Sequence, residues 1–158
     1  MRNIKYIAVH CTAGSQRATV NELLAGFKKR GWRYPGYHYV IAMDGKIHQL
    51  LDDEKVSNGV YVKGHHYNSQ SINVAYIGGV DSNMNPVDNR TVEQKSSLRK
   101  LLKLLRKKYP EAIIQGHRDF SPDLNGNGRV DPAERIKVCP CRRKVGNAKI
   151  LEGTCSTV

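Results

Sequence analysis

Ile4-Lys-Tyr-Ile-Ala-Val-His-Cys11 is the stretch on which the fold reading turns. It is a short β-rich run, apolar enough to be a buried strand, and it carries His10 to its C-terminal end. Thr19-Val-Asn-Glu22 places a hydroxyl three residues before a carboxylate. This capping box starts a helix through Leu23, Leu24 and Phe27 that Gly31 can stop. Tyr37–Met43 and Lys46–Leu51 flank Asp44-Gly45, a strong two-residue hairpin signal. Ile72–Ile77 reads as a further strand ending in Gly78-Gly79. Thr91-Val-Glu-Gln94 is a second capping box, and Leu98, Leu101, Leu102 and Leu105 keep helical spacing up to Tyr109-Pro110. Ala112–Gln115 is a short strand that delivers His117. The order β-α-β-β-β-α-β predicts a single mixed α/β (α+β) domain, with helices long enough to cover a sheet.

The rest of the chain agrees with one domain. Its 158 residues can bury one sizeable core, and two domains would each be marginal. An apolar fraction of 39 % with 25 % charged residues excludes wholesale disorder. No apolar run approaches the roughly 20 residues of a membrane span. The N-terminus has a positive start but a four-residue apolar stretch, against about 7–15 residues for a signal-peptide core, so export by the Sec route is not expected. Lys and Arg number 26 against 14 Asp and Glu, a formal charge of +12. That excess implies an anionic partner: nucleic acid, an acidic membrane surface or a polymer such as bacterial cell wall. No helix-turn-helix, finger or aromatic RNA-binding motif accompanies it, so no specific nucleic acid is expected. The basic helix Ser96–Lys108 reads as packed on the core through its leucines, with a solvated cationic face. Without an export signal, Cys11, Cys139, Cys141 and Cys155 are read as thiols or metal ligands rather than disulfides.

Three possible metal ligands stand where strands or β-like segments end: His10, His117 and Cys139. Catalytic zinc takes three protein ligands of these types and leaves a fourth position to water. Taken singly, each histidine is more often a hydrogen-bonded structural residue, and spacing alone does not bring the three together. Cys11 neighbours His10, so on a strand it points to the other face and reads as a small buried hydrophobe. Cys139-Pro-Cys141 with Cys155 is the alternative, a structural zinc site, though it lacks paired C-x₂-C knuckles.

Val9-His-Cys-Thr12, Gly36-Tyr-His-Tyr39 before Asp44-Gly45, Ser71-Ile-Asn-Val74 before Gly78-Gly79, Gly116-His-Arg-Asp119 and Lys137-Val-Cys-Pro140 occur in this order. That series resembles the zinc-dependent N-acetylmuramoyl-L-alanine amidases of the phage-lysozyme and peptidoglycan-recognition-protein family, over residues 4 to 143. The resemblance implies a central mixed β-sheet flanked by helices. It further implies one zinc ion on His10, His117 and Cys139, with Tyr37 beside the metal and Lys137 as the catalytic lysine. Zinc would activate water and polarise the amide carbonyl. Lys137 would stabilise the oxyanion, and Tyr37 would orient or protonate. Members that bind peptidoglycan without cutting it commonly lack the thiolate, so Cys139 favours an enzyme over a non-catalytic binding or regulatory protein.

Two segments depart from the family pattern. Relatives often carry His-Ala-x-Gly before the Ser-Ile strand, where this chain has Tyr61-Val-Lys-Gly64 and then His65-His66-Tyr-Asn68. His65, His66 and Asn68 are therefore candidates for substrate contact, with solvated loop residues as the alternative. The insertion 121–134 contains Asp123-Leu-Asn-Gly-Asn-Gly-Arg-Val-Asp-Pro-Ala-Glu134. It matches a twelve-position calcium loop through Asp123, Asn125, Asn127, the Arg129 carbonyl, Asp131 and Glu134. A loop of Asx and Gly turns packed on itself without metal is the alternative. The expected organisation is a catalytic domain over 1–145 with a tail over 146–158. The expected setting is a monomer that stays cytoplasmic until released to the cell wall, as a phage endolysin or a bacterial cytoplasmic enzyme.

Overall fold

The computed structural model describes residues 1–137 and 139. The tail 146–158, Cys141 and Cys155 lie outside the described residues. The elements are β1 (Tyr6–Cys11), α1 (Val20–Lys29), β2 (Tyr39–Ile41), β3 (Ile47–Gln49), β4 (Ser71–Tyr76), α2 (Val92–Lys108) and β5 (Ile113–Gly116), with 3₁₀ turns at Tyr67–Gln70, His117–Phe120 and Pro132–Glu134. They build a five-stranded sheet in the order β3-β2-β4-β1-β5. β1 runs parallel to β4 and β5, β2 runs parallel to β4, and β3 closes the antiparallel hairpin with β2.

Strands β1 and β4 occupy the middle of the sheet and are buried almost throughout, as parallel strands covered on both faces must be. Ile7, Val9 and Cys11 of β1 and Ile72, Val74 and Tyr76 of β4 face α2, where they meet Leu98, Leu101, Leu102 and Leu105. The alternate residues face the other way. There Ala8 packs with Val60 and Phe120, while Val40, Ala75 and Ile77 pack with Leu23 of α1 and with Tyr37. Cys11 is 2 % exposed and belongs to the α2-side core, the place expected for it.

Both helices start on the expected capping boxes, with the Thr19 hydroxyl accepting from the Glu22 N–H and the Thr91 hydroxyl from the Gln94 N–H. Gln94 does more than cap. Its buried amide donates to the carbonyls of Ile41 and Ile77, tying the start of α2 to the ends of β2 and β4. The hairpin strands span three residues each, shorter than their apolar runs. Gly45 sits in the turn at φ +86°, where a Cβ would come within 2.8 Å of Glu93. Glycine is required there by conformation and by space.

Candidate metal centre and groove

The centre lies at the C-terminal ends of β1 and β5, the usual place for a site in a parallel sheet. Val9 pairs with Gly116 in the parallel register, so the next residues, His10 and His117, emerge side by side across a sequence separation of 107. Their Nδ1 atoms are 3.1 Å apart and the ring centroids 4.7 Å. Cys139 is strapped onto the same strand end. Its Sγ accepts the Cys11 backbone N–H at 3.0 Å, and its carbonyl accepts the Arg118 N–H at 2.9 Å.

One ligand atom from each of His10, His117 and Cys139 lies within 4.8 Å of the other two. Two nitrogens bound at about 2.0–2.1 Å in a tetrahedron stand roughly 3.3 Å apart, so the imidazole pair has zinc-like spacing. Two imidazoles and a thiol also form a donor set that zinc favours over hard cations. The residues present therefore fit the ion.

Burial pushes His10 down to about 4, against an opposing hydrogen bond to Asn73. Burial, reinforced by the charges of His10 and Lys137, pushes His117 down to about 3. Both rings are thus neutral near pH 7, the form that binds metal. The Tyr37 ring is 5.2 Å from that of His10, packs edge-on against Phe27, and donates from its hydroxyl to the Cys11 carbonyl at 3.5 Å. Burial raises the Tyr37 phenol, with Cys139 and Cys11 adding to it, so the group remains a hydroxyl at neutral pH.

A groove of about 410 Å³ opens beside the centre, lined by Tyr37, His117 and Cys139 together with Thr12, Arg30, Trp32, Asn58, Tyr61 and Lys137. Lys137 is exposed, and the Arg30 guanidinium stacks 5.3 Å from the Trp32 ring centre. Sequence reasoning assigned no role to Arg30, Trp32, Asn58 or Tyr61, because a groove wall gathered from separate loops leaves no local pattern.

Other sequence candidates lie elsewhere. His65 and His66 are exposed, and neither they nor Asn68 lines the groove. His65 stacks on Tyr67 with centroids 4.9 Å apart, and Asn68 uses its Oδ1 to hold the Val60 N–H at 2.7 Å. Tyr61 reaches the groove instead. In the 123–134 loop, Asp123 accepts the N–H groups of Gly126, Asn127 and Gly128, and Glu134 accepts those of Leu124, Asn125 and Asp131. Asp131 accepts the side-chain amides of Asn125 and Asn127. The loop is closed on itself by hydrogen bonds, as its Asx and Gly composition allows. Among the described residues, only His10, His117 and Cys139 form a close group of three His, Cys, Asp or Glu ligands.

Residues 1–134 match the family described as N-acetylmuramoyl-L-alanine amidase. The chain is 40 % identical over 116 residues to the endolysin of Enterobacteria phage K11, covering 72 % of this chain and 74 % of that one. It is 38 % identical over 118 residues to the endolysin of Klebsiella phage KP32, covering 73 % and 76 %. Among solved structures, its fold is similar to that of the Ph2119 endolysin from Thermus scotoductus MAT2119 bacteriophage Ph2119, with a TM-score of 0.70 at 22 % identity over 97 % of this chain and 86 % of that one.

Proposed function

The chain belongs to the N-acetylmuramoyl-L-alanine amidase family and hydrolyses the amide bond between N-acetylmuramic acid and L-alanine of peptidoglycan; from that premise we propose that His10, His117 and Cys139 hold one catalytic zinc ion. The observation that carries this reading is the convergence of their ligand atoms within 4.8 Å of one another, beside a groove that His117 and Cys139 line. When bound, zinc supplies an activated water near neutral pH and polarises the scissile carbonyl.

The remaining work falls to the chain's own side chains. The groove beside the centre binds the stem peptide. Tyr37, kept protonated by burial, is a hydroxyl beside the centre that orients the amide by hydrogen bonding. Lys137 brings an ammonium to the wall and stabilises the negative charge that develops on the carbonyl oxygen. The complete set of three ligands favours this enzyme over a non-catalytic binding protein on the same fold. The protein acts as a monomeric catalytic domain that reaches the wall after release from the cytoplasm.

Purified protein should contain about one zinc per chain, and digestion of sacculi should release free stem peptides identifiable by mass. Cys139→Ser should lose both zinc and product while keeping its far-UV spectrum. Tyr37→Phe and Lys137→Ala should keep zinc and lose about 10²–10³ in rate. Full activity in metal-free Cys139→Ser would sink the reading.

A further inference from the structure

Asn73 is a fully buried polar residue in the middle of β4, on the sheet face that carries His10. A polar group there costs free energy unless each of its hydrogen bonds is made. Its bonds form a chain whose directions can be assigned from one end. The Asn73 backbone N–H donates to His38 Nδ1 at 3.0 Å, and because an N–H can only donate, that nitrogen is bare. The His38 proton is therefore on Nε2, which donates to the Lys55 carbonyl at 2.9 Å; Arg2 Nη1, 3.2 Å from the same nitrogen, directs its two protons to the Asp53 and Lys55 carbonyls at 2.7 Å. The Ser57 oxygen accepts from Asn73 Nδ2 at 2.7 Å and stands 3.1 Å from Nδ1, whose single lone pair the Asn73 N–H already engages. With Nδ2 on Ser57, the amide turns Oδ1 towards His10 Nε2 at 2.8 Å. An amide oxygen only accepts, so His10 carries its proton on Nε2 and leaves Nδ1 bare, facing His117.

We propose that Asn73 is a positioning residue for the metal centre: anchored by Ser57 and His38, its amide oxygen holds His10 in the Nε2-protonated tautomer and presents Nδ1 to zinc. The inference rests on the zinc reading above and adds what makes one of its ligands competent. A ligand histidine depends on the acceptor at its other nitrogen for both tautomer and ring orientation. Gly59 belongs to the same device. A Cβ there would stand 2.5 Å from the Gly36 carbonyl oxygen and 2.7 Å from Asn73 Cγ, so only glycine lets the chain after Ser57 press against the amide.

Two measurements on the full chain test this. In the ¹⁵N-labelled, metal-free protein, two-bond ¹H–¹⁵N spectra should show His10 as the single Nε2–H tautomer; a proton on Nδ1 would overturn the proposal whatever any variant does. Competition with a chromophoric chelator should show zinc affinity about 10–100-fold weaker in Asn73→Ala. Ser57→Ala, which frees the amide to turn, should lose less. Asn73→Asp, which keeps the acceptor oxygen, should recover most of the loss. Thermal unfolding confirms that each variant is folded. Unchanged affinity in a folded Asn73→Ala variant would overturn the role, whereas failure of the unsubstituted protein to take up zinc would overturn the zinc reading itself.

Discussion

His38 shows how one residue links the site to stability. The sequence marks it as part of Gly36-Tyr-His-Tyr39 and says nothing of its task; the structure buries it completely, between the Asn73 N–H, the Ser57 hydroxyl and the Lys55 carbonyl. An exposed histidine titrates near 6.5 in the unfolded chain. In the folded protein burial pushes His38 down to about 4, against the opposing hydrogen bond to the Lys55 carbonyl. Between those two values the unfolded chain holds the proton and the folded one does not. The His38 contribution to stability therefore falls as pH drops from about 6.5 to about 4, and levels off below. His10 and His117 act in the same direction when no metal is bound. Urea denaturation of the metal-free protein should give a smaller unfolding free energy at pH 5 than at pH 7. His38→Gln should be less stable at pH 7 but show a shallower dependence, and identical slopes would place the effect on other groups. The candidate ligands His10, His117 and Cys139 and the neighbouring Tyr37 were legible because they fall in short motifs. Asn73 was not, since its importance lies in what surrounds its amide.

Elements were the most legible scale. Both capping boxes form, because hydroxyl and acid or amide three residues apart close on each other whatever the rest of the chain does. The leucine spacing of α2 also survives in the fold as a buried stripe. Leu102 is fully buried and Leu104 is 57 % exposed, two residues apart on one helix. Leu102→Ala should cost about 2–5 kcal/mol in chemical denaturation, against about 0.5 kcal/mol or less for Leu104→Ala. Comparable losses would mean that the stripe does not anchor the helix. The 123–134 loop has calcium-loop spacing, and hydrogen bonds to Asp123 close it on itself. On the spacing, calorimetry with calcium should show heat that Asp123→Ala abolishes; no heat from the unsubstituted protein would leave the loop a self-packed turn.

For the whole molecule, a charge of +12 suits an enzyme that works on a polyanionic wall. Exposed charges are screened beyond about 8 Å at physiological salt. Cosedimentation with sacculi should therefore decline steeply as sodium chloride is raised, while cleavage of a small soluble muropeptide changes little. Salt-independent cosedimentation would assign wall affinity to the groove alone. At this scale the division between sequence and tertiary structure is clear. Periodicity, capping and turn chemistry act between residues a few positions apart and made the elements legible in the sequence, which also carries the net charge, while the family motifs marked His10, His117 and Cys139 as candidate ligands. Only the tertiary structure decided the strand order β3-β2-β4-β1-β5, the register that sets His117 beside His10, and the buried chain from His38 through Asn73 to His10. Those are contacts through space between distant segments, set by how one sheet packs, and no local pattern encodes them.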